Sequence, residues 1–463
     1  MNGKPAGDSP GYTRSDKRAL LTASCIATLV SPLMGTMINL ALKTIGEEFE
    51  VGAHTLALLT TVFFVSSVVF LAPAARLSEI HGKRKVFMAG LAITALSALL
   101  GSLSPNFWAL CLFRIAMGAS TAMTICTSLS MISDVFPPGE RGFAIAVNTA
   151  FVYIGASVGP VLGGLLTDVL GWRSTFYVIV PIALAAILSL HRFPHEVTNS
   201  PGEPFDLKGA VVYAASISLV MLGVFNVLEP YAIPLMVFGG LMLYYFLRSQ
   251  AEAEYPVLRV SMFRTKGFRL SGAAIFLNYM SVHSVSFLLS LYLQSMGALT
   301  PAEAGGLMFV QPVVQTVLTP LAGKLTDRTQ PRYLMVAGMA ATLSGLVTLF
   351  HVTETLDVAL VVSAMVALGI GFSLFSAPST TSMMSYCRRE EYSAASATVA
   401  IVRQSAMMVA LGIAMAVIAL VMGSADNLVP ENYPSFLLSM RIILGIGIAL
   451  SLVGISVSWK IGE

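Results

Sequence analysis

The chain has 463 residues, of which 56% are hydrophobic and 11% charged, and its formal net charge is +3. A globular chain carries about 25% charged residues, so the roughly three soluble domains that this length would otherwise give are excluded, in keeping with a mean hydropathy of +0.79. So small a net charge gives no argument for nucleic acid, and no nucleic-acid partner is expected; apolar runs without two-residue alternation exclude a membrane barrel.

Apolar runs long enough to cross a hydrocarbon core of about 30 Å as helices recur along the chain. In order they predict fourteen spans, at 20–42, 54–76, 85–104, 107–133, 142–169, 173–193, 207–227, 230–247, 268–296, 304–323, 332–351, 356–386, 392–421 and 435–460. The fold class is therefore an all-α polytopic membrane protein. The polar N-terminal stretch carries Lys4, Arg14, Lys17 and Arg18 without a small-residue cleavage site after a short apolar core, so the first span is expected to act as an uncleaved insertion signal. Cys25, Cys111, Cys126 and Cys387 show no pairing or metal spacing and are read as small packing residues. No metal and no cofactor is expected.

Charge placement orients the spans. With both termini in the cytoplasm, the inner tails and loops hold 22 of the 27 Lys and Arg, the outer side has Lys43, Arg173 and Arg441, and Arg114 and Arg403 fall within spans. That asymmetry is what the positive-inside rule requires, and one missed span would reverse every later loop. The expected location is the cell membrane, multi-pass.

Two inner loops repeat. ARLSEIHGKRK (75–85) follows span 2, and GKLTDRTQPR (323–332) follows span 10. Eight spans between copies is the spacing of two six-helix halves separated by an inserted pair. This division predicts a tail at 1–19, a six-helix bundle at 20–195, an inserted pair with linkers at 196–250, a second bundle at 251–460 and a tail at 461–463. Parallel repeats of this kind are a transporter feature, with the substrate site at their interface.

Span 5 carries GASVGPVLGG (155–164), rich in residues that cost about 1 kcal/mol (Gly) or 3 kcal/mol (Pro) inside a soluble helix. Gly155, Gly159 and Gly163 lie four apart and share one helix face, which lets a neighbouring backbone approach closely. Pro160 removes a backbone hydrogen bond and can bend the helix, and Gly164 follows. Two readings stand: a bendable seam between the halves, or ordinary packing.

Together these motifs resemble the major facilitator superfamily, specifically its fourteen-helix drug:proton antiporter branch. The loop at 75–85 looks like that family's GxLaDrxGrk motif, with Ala75 for Gly and Glu79 for Asp, and 323–328 looks like its second copy. LFRIAMG (112–118) resembles the fourth-helix motif, GASVGPVLGGLL (155–166) matches GxxxGPxxGG at every fixed position, and WRSTFY (172–177), FDLKGA (205–210) and RQS (403–405) have the branch's character. The resemblance implies alternating access between two six-helix bundles. It also implies an inner gate formed by Glu79, Gly82, Lys83, Arg84, Asp134, Arg141, Asp327 and Arg328. Glu79 is expected to pair with Lys83 and Arg141, and Asp134 with Lys83; a topological anchor is the alternative reading of the same charges. The resemblance places the cavity between spans 1, 4, 9 and 12, which supply Met34, Asn39, Thr121, Thr124, Asn278, Tyr279, His283, Phe372 and Phe375, with Gln311 and Gln315 on span 10.

Ionisable groups inside spans default to function. Here they are Arg114, Arg403 and His283, while all 24 Asp and Glu fall in tails, loops or span ends. Where the resembled branch has an acid in its first helix, this chain has Met34, and Met117 replaces the fourth-helix Gln. His283, which titrates near neutral pH when unperturbed, Asp134 and Arg114 are the coupling candidates. Arginine does not itself release a proton, so Arg114 would act by tuning a partner or holding an anion; the bland alternatives are a neutral, hydrogen-bonded His283 and an Arg114 that satisfies backbone carbonyls. The expected function is proton-coupled export of amphipathic small molecules in the manner of multidrug efflux, by a monomer in the lipid bilayer. The alternative is a dedicated exporter of one metabolite, lipid or siderophore-like compound, uncoupled from protons. An enzyme would need a catalytic constellation within the spans, an ATP-driven pump a GxxxxGK[ST] sequence, and a receptor a signalling domain for which tails of 19 and 3 residues leave no room; none of these fits the sequence.

Overall fold

The computed structural model describes residues 12–51, 53–198, 200–226, 229–299, 301–388, 391–422 and 430–462. Lys4 and Arg389 lie outside them. Sixteen α-helices and no strand occur among the described residues: α1 (Arg14–Phe49), α2 (Ala53–His81), α3 (Lys83–Ser102), α4 (Phe107–Val135), α5 (Pro138–Leu170), α6 (Ser174–Tyr177), α7 (Ile179–His191), α8 (Leu207–Phe225), α9 (Ala232–Glu252), α10 (Lys266–Ser295), α11 (Pro301–Met308), α12 (Val310–Thr326), α13 (Pro331–Phe350), α14 (Val358–Ser385), α15 (Tyr392–Met422) and α16 (Tyr433–Trp459). They supply fourteen helices long and apolar enough to cross a membrane, the number expected.

Two spans are broken, which the hydropathy pattern did not show. The sixth divides into α6 and α7 at Val178, and the tenth into α11 and α12 around Phe309. Each break lies three residues before a proline, Pro181 and Pro312. A proline at i has no N–H for the carbonyl at i−4, so the carbonyls of Tyr177 and Met308 lose their helical donors and each helix restarts one residue later.

Helix ends follow capping chemistry. The Thr13 hydroxyl accepts from Asp16 N, and the Asp16 carboxylate accepts from Thr13 N, a reciprocal capping box. Asn106, Asp206 and Asp357 each accept from the backbone N–H three residues on. Between α2 and α3 the whole connection is Gly82 at φ +107°, a backbone region that L side chains rarely adopt.

Helices α1 to α7 pack mainly on one another and α10 to α16 likewise, while the α8–α9 pair stands against α2 and α15. The two groups meet along α2–α15, α4–α15, α5–α12 and α5–α14. Between apolar helices in lipid no hydrophobic drive operates, so close backbone approach and side-chain bonds carry the packing. A Cβ on Gly118 of α4 would strike the Phe63 carbonyl of α2, and beside it Ser66 Oγ donates to Ile115 O at 2.7 Å. The outer surface presents Val161, Leu188, Leu207, Ile233 and Leu241, an apolar coat suited to lipid.

Loops sort onto two faces. One, here the basic face, gathers the turns around residues 82, 136, 195, 255 and 328: Lys83 meets Asp134, Arg259 meets Glu79, and Asp327 meets Gly142. On the opposite face Glu48 accepts from Trp172 Nε1 at 2.7 Å and pairs with Arg173 at 2.6 Å, and Tyr433 Oη donates to Ser295 O. The Glu48 carboxyl is held below its usual range, chiefly by its hydrogen bond from Arg173.

Candidate functional site

The seam between the two helical groups runs along α5, and α5 has two working faces. Gly155, Gly159 and Gly163 face α1: a Cβ at these positions would meet the Leu29 carbonyl and Pro32, the Thr36 side chain, and the Met37 backbone. These glycines therefore stitch α5 to α1 inside the first bundle; they do not face the second, which favours the packing reading. Gly164 follows them, half-buried. Pro160 lies inside α5, and its side chain is outside the described residues.

The face of α5 that meets the second bundle begins at its N-terminus. Gly142 N and Phe143 N donate to the Asp327 carboxylate at 2.9 and 3.0 Å. A carboxylate there accepts two backbone N–H groups in the second turn of α5, near the positive end of the helix dipole. Next to it Gly323 of α12 lies against Ala146 and Gly142, Lys324 stands 5.1 Å from the Phe143 ring centroid, and Arg141 stands 5.1 Å from that of Tyr392. Further along the seam Ser396 Oγ donates to Cys126 O at 2.5 Å. Ala74, Ala75, Cys126 and Ala397 form a small buried cluster joining α2, α4 and α15. At mid-depth Gln404 reaches Ser67 Oγ at 3.4 Å. The basic half of the seam is thus packed shut.

The expected gate charges are present with partners partly different from those expected. Lys83 pairs with Asp134 at 2.6 Å, both buried, as anticipated. Glu79 pairs with neither Lys83 nor Arg141. It meets Arg76 at 3.1 Å and Arg259 at 3.3 Å, because the linkers of the inserted pair lie across the end of α2. Ser200 N donates to Glu79 O and Lys83 N to Val197 O, both at 3.0 Å. Arg76 continues to Glu203 at 2.6 Å, and the Arg76 hydrogen bond holds the Glu203 carboxyl below its ordinary range. Glu196 accepts from Arg84 N and Lys85 N, capping α3 in place of the capless Gly82, while Arg84 Nε donates to Phe193 O at 2.6 Å. Beneath these linkers a cavity of about 600 Å³, lined by Arg76, Glu203, Arg259, Arg264 and Arg269 among others, opens at the basic face. Arg328 is exposed and takes no part in this network. Sequence reading missed Glu203 and Arg259, which stand 127 and 180 residues from the groups they meet.

Several residues expected to line the cavity are packed within one bundle. Met34 is 4% exposed, and its carbonyl accepts from Arg114 at 3.2 Å while Leu59 O accepts from Arg114 Nε at 3.1 Å. The Arg114 guanidinium lies 4.4 Å from the Phe63 ring centroid. This is the carbonyl-satisfying arrangement. The adjoining void of about 10 Å³ has room for about one water molecule. Thr121 and Thr124 are buried within the first bundle, with Thr124 Oγ1 donating to Thr121 O. Phe375 and Asn278 are fully buried in the second bundle, and neither amide atom of Asn278 finds a partner. Gln311 and Gln315 face α14 through their backbones, near Gly369 and Ser373. Asn39 lies in α1 with its side chain outside the described residues. His283 is half-buried on an accessible stripe of α10 with Met280, Phe287, Ser290 and Gln294, and it makes no ion pair among the described residues.

What converges at mid-depth is a mixed aromatic and polar group from both bundles. Tyr279 of α10 packs edge-on to Phe372 of α14 at 4.9 Å, and Tyr153 of α5 approaches the same ring at 6.0 Å. Tyr279 Oη lies 3.4 Å from Ser376 Oγ. Arg403 of α15 stands 5.3 Å from the Tyr279 ring centroid and donates to Ser376 O and Thr380 Oγ1. Tyr153 was not among the expected residues, although its offset from the glycine face of span 5 was readable.

Comparisons with known proteins agree with this fold. The chain is 26% identical over 369 residues to the riboflavin transporter RibZ of Clostridioides difficile, covering 80% of this chain and 81% of that one. It is 27% identical over 372 residues to the multidrug resistance protein Stp of Mycobacterium tuberculosis, covering 79% and 69%. Among solved structures, that of the human organic anion transporter MFSD10 superposes with a TM-score of 0.70 at 14% identity over 96% of this chain and 99% of that one, a likeness of fold. Residues 24–411 match the Major Facilitator Superfamily model, and the chain belongs to that family of membrane transporters.

Proposed function

We propose that this protein is a secondary active exporter of amphipathic small molecules, of the fourteen-helix drug:proton antiporter type, working by alternating access as a monomer in the cell membrane. The division at 20–195, 196–250 and 251–460 provides two bundles and an inserted pair, with the basic face and both termini in the cytoplasm as the cation asymmetry requires. The observation that carries this reading is the seam. Asp327, Gly323 and Ser396 bond or press the bundles together in the basic half, beneath a mid-depth cluster to which both bundles contribute rings. This is a transporter closed toward the cytoplasm. Similarity to a multidrug resistance protein, Stp, supports the direction.

For coupling, Arg114 is committed to two backbone carbonyls and Asp134 to Lys83. We therefore assign proton exchange to His283, on the accessible stripe of α10. The test is uptake of dyes and antibiotics into proteoliposomes, with and without an imposed pH gradient. The gradient drives accumulation by the wild type and not by His283→Ala. If no candidate substrate responds to the gradient in the wild type, the antiporter assignment falls, and the dedicated, uncoupled exporter takes its place.

A further inference from the structure

Two arginines lie within spans, and the structure treats them differently. Arg114 is 1% exposed, enclosed by two carbonyls and the Phe63 ring with its Nη2 unpartnered among the described residues; it holds α1, α2 and α4 together. Arg403 is half-buried at mid-depth, where α15 meets α10 and α14. It has no carboxylate partner among the described residues. Its described partners are one hydroxyl, one carbonyl and the face of Tyr279, and its Nε is buried with nothing to donate to.

A guanidinium stays protonated in a protein, with five donors in a planar fork. A charge at mid-membrane with donors to spare is a functional site by default. The acceptor that fits such a fork is a two-oxygen anion. The surroundings describe the rest of such a ligand. Phe372 stands between Tyr279 and Tyr153, offering edges and faces for a flat aromatic body. The Tyr153 hydroxyl is buried, with the Ser376 side chain as its polar neighbour.

Resting on the exporter reading above, we infer that the transported substrate is an amphipathic aromatic anion, a carboxylate or sulfonate, whose charge is met by Arg403 and whose ring is met by Tyr153, Tyr279 and Phe372. The arrangement selects against lipophilic cations, which find one positive charge and no acid there.

Fluorescein and rhodamine 6G share a xanthene ring and differ in sign of charge. Binding of each to the detergent-solubilised protein is read by fluorescence anisotropy, and transport of each by proteoliposomes. The wild type binds and moves fluorescein at least tenfold better than rhodamine 6G. Arg403→Gln loses at least tenfold in fluorescein binding while rhodamine 6G binding holds or rises, and Arg403→Lys recovers part of the loss. Tyr279→Phe, which keeps the ring, retains the preference for the anion. Preference of the wild type for rhodamine 6G, equal loss of both dyes in a monodisperse Arg403→Gln protein, or binding of neither dye overturns the inference. Selective binding of fluorescein without transport leaves the anion site standing and removes the exporter reading; transport of rhodamine 6G alone does the reverse.

Discussion

If the Asp327 carboxylate clamps the basic half of the seam, Asp327→Ala releases it. The side chain accepts two backbone N–H groups of α5 across the bundles, at 2.9 and 3.0 Å. Each of these two hydrogen bonds contributes a net ~0.5–1.5 kcal/mol. Both act only while α5 and α12 touch, so about 1–3 kcal/mol is withdrawn from the closed state. The open population rises about 5- to 150-fold. Cys126 is a native reporter: it is fully buried at the seam with Ala74, Ala75 and Ala397. With Cys25, Cys111 and Cys387 replaced, maleimide labelling of Cys126 in Asp327→Ala accelerates by that factor over the background protein. Gly323→Leu forces the same interface apart sterically, since even a Cβ there would collide with Ala146, and serves as the positive control. Labelling that is raised by Gly323→Leu but unchanged by Asp327→Ala refutes the clamp.

Three further outcomes follow from the contacts described. Gly159→Val drives a side chain into Thr36 and lowers first-bundle stability by the ~1–3 kcal/mol typical of overpacking, seen as a reduced melting temperature in detergent, whereas Gly139→Ala, which meets open space, leaves it unchanged. Because pairing with Arg173 depresses the Glu48 pKa, the stabilisation it provides is complete above the ordinary carboxylate pKa of about 4.3. It is lost as pH falls through the depressed folded value. Emission of Trp172, with Trp108 and Trp459 replaced by Phe, shifts below that pKa in the wild type and is pH-independent in Glu48→Gln. Arg259→Ala frees the linker from Glu79 and Ser200, and proteolysis between residues 253 and 260 speeds up; unchanged cleavage removes the strap role given to that linker.

Span number was legible because each crossing is a long apolar run, a property local to a few dozen residues. The prolines behind the two breaks were equally visible, but Pro32, Pro73, Pro320 and Pro378 sit inside unbroken helices, so a proline alone does not announce a break. The glycine face of α5 was legible as a face and not as a partner: spacing shows which residues point together, while the choice of α1 over the second bundle is made in three dimensions. Arg114 illustrates the same limit. Its type and depth marked it as functional, yet carbonyls of α1 and α2, which no sequence pattern displays, hold two of its nitrogens. The mid-depth site was half legible, since Tyr279 and Phe372 were expected and meet, whereas Tyr153 and the unpaired surroundings of Arg403 emerge only from packing.

The repeated loops divide the work unevenly, and the inserted pair explains why. In the second half, Asp327 is free to reach across the seam to α5. In the first half, the equivalent acid, Glu79, is occupied by Arg76 and by Arg259 from the linker that follows α9, with Glu203 from the linker before α8 closing the chain of charges. Removing one member of such a buried network strands its partner, at about 3–5 kcal/mol, so the network resists coming apart. The first-half motif therefore fastens the inserted pair to its own bundle, and under the proposed alternating access the acid left to open and close is Asp327, whose bonds break if α5 and α12 separate.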